Sequence, residues 1–289
     1  MSNSIADVLA EASQILRNAG VPEARREAAS LLAYTIAKDR TFLISHSEHE
    51  LSKNKLKSFA VSVDRRAQGE PLQYITGQQD FYGRVFHVSP DVLIPRPETE
   101  LLVEAALELI SASQTPVRIC DVGTGSGCIA ISLACENVNV SGVAVDISPS
   151  ALEIAKQNAV VNNVDERLTF MLSDCFDALS KDGNLFDLIA SNPPYVAGDV
   201  VAGLQREVKD HEPKVALTPG PDGLSIIRRL ISEAPQFLRK DGRLLLEIGF
   251  DQGEAVRGLV DKTHWQLVEI RPDLQGIPRI VILRKTSLA

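Results

Sequence analysis

The chain has 289 residues, 44% of them hydrophobic and 24% charged, with a net charge of −8, which suits one large and one small globular domain. No apolar run approaches the roughly 18 residues that span a bilayer, and no basic segment followed by an apolar one marks a secretory signal. The four cysteines contain no C-x-x-C pair, so we expect a cytoplasmic protein without a metal site.

Helical patterns fill the first part of the chain. Apolar residues recur at helical spacing over 5–19, Pro22 is expected to open a second helix, and a weaker pattern follows over 51–63. We therefore predict a small all-α domain over residues 1–75. Its basic end at 53–66 is interpreted as a solvent-exposed face rather than as a binding patch.

A different pattern occupies residues 76–96. The run over 81–88 is typical of strands joined by a tight turn, so we predict a β-hairpin linker. Pro97 then suits the first turn of a helix, and the acidic Glu98 and Glu100 complement the dipole of that helix.

Strands and helices alternate through the rest of the chain, which we predict to be one domain over 97–289. Strands are predicted at 117–122, 140–145, 168–172, 185–190, 242–248, 265–270 and 279–284, and helices at 126–135, 149–161, 223–238 and 251–261. This alternation indicates an α/β fold with a mainly parallel sheet and helices on both faces. The last two strands are joined by a segment too short for a helical crossover, so we expect them to pair antiparallel.

A glycine-rich loop follows the first strand of this domain. Its spacing is G-x-G-x-G over 123–127, Asp121 precedes it, and Asp146 ends the next strand. Glycines let the backbone approach a ligand closely, and a carboxylate at the position of Asp146 can accept both hydroxyls of a ribose. Asp174 ends the strand after that, where an adenine could lie.

A second motif, Ser191-Asn192-Pro193-Pro194-Tyr195, follows the fourth strand of the domain. Two consecutive prolines force the chain out of the sheet as a stiff turn at the strand's carboxyl end, where open α/β sheets bind ligands. The side-chain oxygen of Asn192 and the carbonyl of Pro193 can each accept one hydrogen of an NH2 group, and Tyr195 offers a flat face. The loop is therefore suited to an amide or an adenine.

Together these motifs resemble the S-adenosylmethionine methyltransferases with a seven-stranded sheet, in their Asn-Pro-Pro-Tyr branch, which methylates planar nitrogen. The resemblance sharpens at the segments 71–77, 81–83 and 93–100. With the helical leader, nearly the whole chain is similar to the release factor glutamine methyltransferases, the HemK/PrmC family. That likeness implies the class I (Rossmann-like) methyltransferase fold. The chain departs from the family at Cys175, where a bulky side chain near the adenine is more usual. The resemblance therefore does not specify how this wall of the adenine pocket is formed.

The resemblance implies that the chain moves a methyl group from S-adenosylmethionine, leaving S-adenosylhomocysteine, to the glutamine N5 of the Gly-Gly-Gln motif in class I peptide-chain release factors. The residues expected to bind the cofactor are Asp121, Gly123, Thr124, Gly125, Ser126, Gly127, Asp146, Asp174, Cys175 and Asn192. The residues expected to bind the substrate are Asn192, Pro193, Pro194 and Tyr195, of which Asn192, Pro193 and Tyr195 are expected to serve catalysis. We expect a monomer that holds no nucleic acid stably and binds no membrane.

Several other functions stay open at this point. A glutamine methyltransferase acting on a ribosomal protein would carry the same motifs. An adenine-N6 methyltransferase acting on DNA or RNA would also have to methylate an NH2 group on a planar system. Residues 76–289 carry 20 Lys and Arg against 29 Asp and Glu, however, and this acidic balance disfavours a surface that binds nucleic acid. An inactive methyltransferase fold is disfavoured by the intact motifs, and a nicotinamide dehydrogenase by Cys128, where the dinucleotide fingerprint needs glycine.

Overall fold

The computed structural model describes residues 3–111, 115–181 and 185–286. The chain divides into two compact units. The first comprises Met1–Gln78 and Gln205–His211, and the second comprises Gln79–Leu204 and Glu212–Ala289. Within the described ranges, no helix is both long enough and apolar enough to cross a membrane.

Helices make up the first unit almost entirely, whereas the second combines helices with strands. The α-helices are α1 (Ile5–Asn18), α2 (Ala24–Ile36), α3 (Arg40–Ser45), α4 (Lys53–Ala67), α5 (Leu72–Thr76), α6 (Pro97–Ile110), α7 (Cys128–Glu136), α8 (Pro149–Val161), α9 (Arg206–His211), α10 (Lys214–Leu217), α11 (Ser225–Glu233) and α12 (Gly253–Leu259). The strands are β1 (Gln78–Phe81), β2 (Arg84–His87), β3 (Val117–Val122), β4 (Val140–Asp146), β5 (Leu168–Leu172), β6 (Phe186–Ser191), β7 (Leu238–Glu247), β8 (Trp265–Pro272) and β9 (Pro278–Lys285). Short 3-10 helices lie at Val201–Gly203 and Ala234–Gln236.

The first unit is built on capped helices. Side-chain oxygens of Ser4, Asp39 and Ser52 accept backbone N–H groups at the starts of α1, α3 and α4, which satisfies donors that have no partner inside a helix. Apolar faces of the helices form one shared core. Pro22 does not open α2, which begins at Ala24 after Glu23 in a left-handed conformation, φ 55°. The short helices α3 and α5 were not predicted, because they are too short to show a helical period.

The basic end of α4 is not simply a solvent-exposed face. Arg66 is only 4% exposed, and its guanidinium binds the carboxylate of Glu27 and, at 2.8 Å, that of Glu207 in α9. The neighbouring Arg65 donates to Glu70 at 2.7 Å. The pairing of two carboxylates with one buried arginine ties α9 to the helices of this unit, because a buried charge must be paired.

The second unit contains a seven-stranded sheet in the order β5-β4-β3-β6-β7-β9-β8. The first five strands in this order are parallel, and β9 runs antiparallel to both of its neighbours, β7 and β8. The predicted mainly parallel sheet and the antiparallel final pair are therefore confirmed. Strand β7 begins four residues before its predicted start because a register shift opposite Phe186 lets the chain rejoin the ladder at Arg243.

Helices cover both faces of this sheet. Residues of α6, α7 and α8 pack with one set of strand side chains, and residues of α11 and α12 pack with the opposite set. The central strands β3 and β6 are buried along most of their length, which is why they read as continuous apolar runs. A separate hairpin, β1–β2, turns at Tyr82 and Gly83, whose positive φ values suit a two-residue turn.

Candidate active site

A cavity of about 260 Å³ lies at the carboxyl ends of β3, β4, β5 and β6 in the second unit. Because parallel strands end at the same edge of the sheet, motifs that are far apart in sequence meet there. The predicted site residues on its wall are Gly123, Thr124, Gly125, Ser126, Asp146, Asp174, Cys175, Asn192, Pro193 and Pro194. The predicted residues Asp121, Gly127 and Tyr195 do not line it.

The glycine loop at the end of β3 is held in place by backbone hydrogen bonds and by the left-handed conformation of Gly127. The N–H groups of Gly123 and Thr124 both donate to the Val145 carbonyl at 2.9 Å, which ties the loop to β4. Gly127 has φ 83°, and a Cβ there would lie 2.7 Å from the Ile131 side chain. The left-handed φ, together with Ala155 Cβ at 3.3 Å from the same position, therefore favours glycine where the loop turns into α7.

Asp121 lies beneath this loop. Its carboxylate is fully buried and accepts the Thr124 hydroxyl at 2.7 Å and the Ala130 N–H at 3.2 Å. Burial raises the pKa of Asp121 to about 7. Both donors contact Oδ2, whereas the buried Oδ1 has no hydrogen-bond partner in the described part of the chain, so the contact between Asp121 and the cofactor stays a prediction.

Asp146 closes the cavity at the end of β4. One carboxylate oxygen accepts the Gly125 N–H at 2.8 Å and the other accepts the Ser148 N–H at 2.9 Å. Burial raises the pKa of this carboxyl, while the backbone donors act in the opposite direction. Each oxygen keeps a further lone pair, so the group can still accept two hydroxyl donors from a ligand in the cavity.

The neighbouring wall is formed by Asp174 and Cys175. The Asp174 carboxylate accepts Arg229 at 2.7 Å and is about half exposed, so it is partly engaged away from the cavity. Cys175 is buried with φ 46°, and burial raises the pKa of its thiol to about 12. A neutral, compact sulfur therefore lines this wall.

Asn192 presents one unpaired polar atom at the cavity. Its Nδ2 donates to the Thr99 hydroxyl at 3.0 Å, whereas its buried Oδ1 has no hydrogen-bond partner in the described part of the chain. Buried acceptors without a partner are rare in native proteins. The carboxamide oxygen is therefore available to a ligand, beside the buried backbone of Pro193.

Tyr195 lies behind the cavity wall rather than on it. Its ring packs with the core on one face of the sheet, and its hydroxyl donates to Glu247 at 3.3 Å. Burial raises the pKa of this phenol above its usual range. The expected stacking of Tyr195 on the substrate plane is not supported, since the ring does not reach the cavity wall.

Sequence reasoning missed two residues next to this site, Thr99 and Glu247. The Thr99 hydroxyl donates to the Glu247 carboxylate at 2.7 Å, and both side chains are buried. Burial raises the pKa of Glu247 to about 7. The available signal was a glutamate directly after the apolar run 244–246, at the same edge of the sheet as Asn192.

The charge of the wall favours a cationic ligand. Among described residues it carries three carboxylates, those of Asp91, Asp146 and Asp174, and one basic side chain, that of Arg96. Arg96 is already paired with the buried Glu212 at 2.6 Å. The described residues contain no group of three or more His, Cys, Asp or Glu side chains placed to hold a metal ion.

Comparisons with known proteins agree with this geometry. Residues 7–77 match the family model "PrmC N-terminal domain", and residues 98–209 match "Methyltransferase small domain". A release factor glutamine methyltransferase of Koribacter versatilis is 44% identical over 94% of this chain and 95% of its own length. One from Clostridium acetobutylicum is 36% identical over 98% and 99%. A Pyrococcus furiosus methyltransferase structure has a TM-score of 0.52, covers 72% of this chain and 91% of its own, and at 17% identity shows the shared fold alone.

Proposed function

This chain belongs to the family of release factor glutamine methyltransferases, and we propose that the cavity at the carboxyl ends of β3, β4 and β6 performs the family's reaction. The methyl donor is S-adenosylmethionine. The acceptor is the side-chain amide nitrogen, N5, of a glutamine in a peptide-chain release factor. We propose that this is the glutamine of the Gly-Gly-Gln motif of the class I factors. The unpaired, buried carboxamide oxygen of Asn192 carries this proposal.

The cofactor would be held by the glycine loop and by Asp146. Positive φ values at Gly123 and Gly125 bring the backbone of the loop to the cavity wall, and the Asp146 carboxylate can accept the two ribose hydroxyls. The carboxylates of Asp91 and Asp146 on the wall suit a sulfonium cation, since Arg96 is paired with Glu212 and Asp174 is paired with Arg229. When bound, S-adenosylmethionine supplies an activated methyl group and leaves as S-adenosylhomocysteine.

The amide would be held by Asn192 and Pro193. The Asn192 oxygen accepts one N–H of the glutamine amide and the Pro193 carbonyl accepts the other, which directs the amide nitrogen toward the methyl donor. An amide nitrogen is a weak nucleophile because its lone pair is delocalised, so alignment in a site shielded from water is the main contribution of these residues. The methylated amide is strongly acidic while it keeps its extra proton and loses it, after the methyl transfer, to a nearby acceptor or to water as the site opens, so we assign no general base.

The first unit is proposed to dock the protein substrate. An open groove of about 1220 Å³ between α1, α2 and α3 has an apolar floor that includes Leu9 and Leu43. Its lining contains four arginines and one acidic residue, namely Arg17, Arg25, Arg26, Arg40 and Glu23. This charge balance suits an acidic surface of the release factor. Residues 76–96 would then act as a linker and 97–289 as the catalytic domain of a cytoplasmic monomer without stable nucleic-acid or membrane binding.

A charge reversal tests the docking proposal. The double variant Arg17→Glu, Arg25→Glu should raise KM for an intact release factor about tenfold and leave both cofactor binding and methylation of a short Gly-Gly-Gln peptide unchanged. Lys262→Glu reverses an exposed charge in the second unit and serves as the control. Equal KM values for wild type and the double variant would refute docking in this groove.

A methyl-transfer assay tests the function itself. Labelled S-adenosylmethionine is incubated with an intact class I release factor, and mass spectrometry locates the methyl group, which is expected on the Gly-Gly-Gln glutamine. A release factor with alanine at that position should stay unlabelled. Parallel reactions with ribosomal proteins and with adenine-containing DNA and RNA run at moderate salt, so that weak electrostatic binding does not mislead. Preferential labelling of a ribosomal protein would overturn the substrate, and labelling of adenine would also overturn the substrate class.

A further inference from the structure

The direction of the Asn192 carboxamide decides whether the site can hold an amide. The two ends of a carboxamide have nearly the same shape, but only the oxygen accepts a hydrogen bond. If the group were turned by 180°, its NH2 would face the NH2 of the substrate, and the hydrogen bond would be replaced by a repulsive contact. Something in the protein must therefore fix the direction of Asn192.

A short chain of hydrogen bonds supplies that direction. The Thr99 hydroxyl has a single hydrogen, and this hydrogen lies between Thr99 and the Glu247 carboxylate at 2.7 Å. The hydroxyl can then only accept from Asn192, whose Nδ2 lies 3.0 Å away. Above about pH 7, where Glu247 is ionised, its carboxylate accepts and never donates, and it therefore sets the polarity of the whole chain.

Glu247 is itself held in place. Its other oxygen accepts the Tyr195 hydroxyl at 3.3 Å, so each carboxylate oxygen has a protein donor. The residue ends β7, is 1% exposed, and follows Leu246, which pairs in register with Ser191 of β6. The anchor and the Asn-Pro-Pro-Tyr loop therefore lie on adjacent strands, and the carboxylate cannot turn away into solvent.

We propose that Thr99 and Glu247 are positioning residues that act through Asn192: Glu247 holds the Thr99 hydrogen, and Thr99 in turn holds the Asn192 carboxamide with its oxygen toward the cavity. This inference rests on the proposed function for its activity readout. It assigns to Tyr195 the task of holding Glu247 rather than that of covering the substrate. It adds no group that touches the reacting atoms.

Substitutions at Thr99 test the proposal. Thr99→Val keeps the shape of the side chain and removes the hydroxyl, so the carboxamide loses its fixed direction, and kcat should fall about tenfold or more. Thr99→Ser restores the hydroxyl and should keep kcat within about threefold of wild type. Calorimetric Kd values for S-adenosylmethionine should agree within about threefold among the three proteins. Wild-type kcat in Thr99→Val would overturn the proposal.

A double-mutant cycle separates this role from a general structural one. If Thr99 acts through Asn192, adding Thr99→Val to Asn192→Ala should cause no further loss of activity. If Thr99 only supports the fold, the two losses should multiply, and the proposal fails. Glu247→Leu should match the kcat loss of Thr99→Val, because the Thr99 hydrogen can then turn to Asn192 Oδ1. Glu247→Gln keeps an oxygen for Thr99 and should retain most of kcat.

A readout without any substrate keeps this inference separate from the proposed function. In ¹⁵N NMR spectra, the side-chain NH2 signals of Asn192 are assigned by their loss in Asn192→Ala. Their exchange with water should be slow in wild type and in Thr99→Ser, and at least about tenfold faster in Thr99→Val. Equal exchange in all three proteins would overturn the proposal, even if release factors are methylated. Inactivity of the wild type on every release factor would instead overturn the proposed function alone.

Discussion

Replacing Asp146 by alanine is the most direct perturbation of the cofactor site. The substitution removes the acceptors of the Gly125 and Ser148 N–H groups, at 2.8 Å and 2.9 Å, and with them the proposed partner of the ribose hydroxyls. It therefore acts on the ligand directly and on the glycine loop through Gly125. The strand and helix on either side keep their own backbone hydrogen bonds.

The expected size follows from the groups that lose a partner. A hydroxyl that enters the cavity without an acceptor costs about 1–3 kcal/mol relative to its hydrated state, which corresponds to roughly 5- to 150-fold in Kd. Release of the Gly125 N–H adds to this cost, since the loop must be ordered again on binding. We expect the Kd of S-adenosylmethionine to increase by about 10- to 100-fold.

Isothermal titration calorimetry measures this effect with S-adenosylmethionine and with S-adenosylhomocysteine. Asp165→Ala is the matched control, because that side chain is exposed and does not line the cavity, and its loss should change Kd by less than about threefold. Equal affinity of Asp146→Ala and wild type would refute the assignment of the ribose site. Preferential binding of NADH would refute the cofactor itself.

Three further predictions concern catalysis, folding and pH. Asn192→Ala should lower methyl transfer about a hundredfold or more while changing the Kd of the cofactor far less; near wild-type turnover would show that this loop does not hold the amide. Gly127→Ala should reduce the free energy of unfolding by about 1–3 kcal/mol, because alanine is strained at φ 83° and its Cβ would lie 2.7 Å from the Ile131 side chain. The control Gly258→Ala in α12 places a Cβ in open space and should be neutral or stabilising. Equal urea midpoints for the two variants would contradict this prediction. In the folded protein, burial raises the pKa of the Glu247 carboxyl from about 4.5 to about 7. Between these two values the folded state keeps the proton and the unfolded state loses it. The stability that Glu247 contributes is therefore complete below pH 4.5 and is lost as the pH rises to 7. Glu247→Gln removes that loss, and its stability relative to wild type should grow by about 3 kcal/mol between pH 4.5 and 7; parallel pH curves from urea unfolding would contradict the shift.

Sequence patterns predicted the fold of the second unit well because each element carries its own signal. Strands β3 and β6 are buried on both faces and so read as apolar runs, and glycines at 123, 125 and 127 mark a turn that only they can make. The antiparallel pairing of β8 and β9 followed from the shortness of their connection. The patterns predicted less of the first unit, where α3 and α5 have too few turns to show a period.

The sequence predicted the motifs that form the cavity but not the hydrogen bonds that hold those motifs in place. Placement of Asn192 and Asp146 on one cavity follows from parallel strands that end at one edge, which the alternation of strand and helix already implies. Asp121 was assigned to the cofactor because it precedes the loop, and only the structure shows that Thr124 in the loop donates to one of its carboxylate oxygens. Tyr195 was assigned to the substrate because it offers a flat face beside Asn192 and Pro193, whereas in the structure its partly buried ring packs against the core.

The sequence by itself therefore determined the local features of this protein: the strand runs, the glycine turn and the stiff Asn-Pro-Pro-Tyr exit from the sheet. Each of these depends on side-chain size and backbone freedom within a few residues. Only the tertiary structure decided that Thr99 binds Glu247, 148 positions away, and that Arg66 is buried against Glu207, 141 positions away. Such pairs arise where packed elements exclude water, so that each buried polar group must find a protein partner, and no periodic pattern encodes which partner that is.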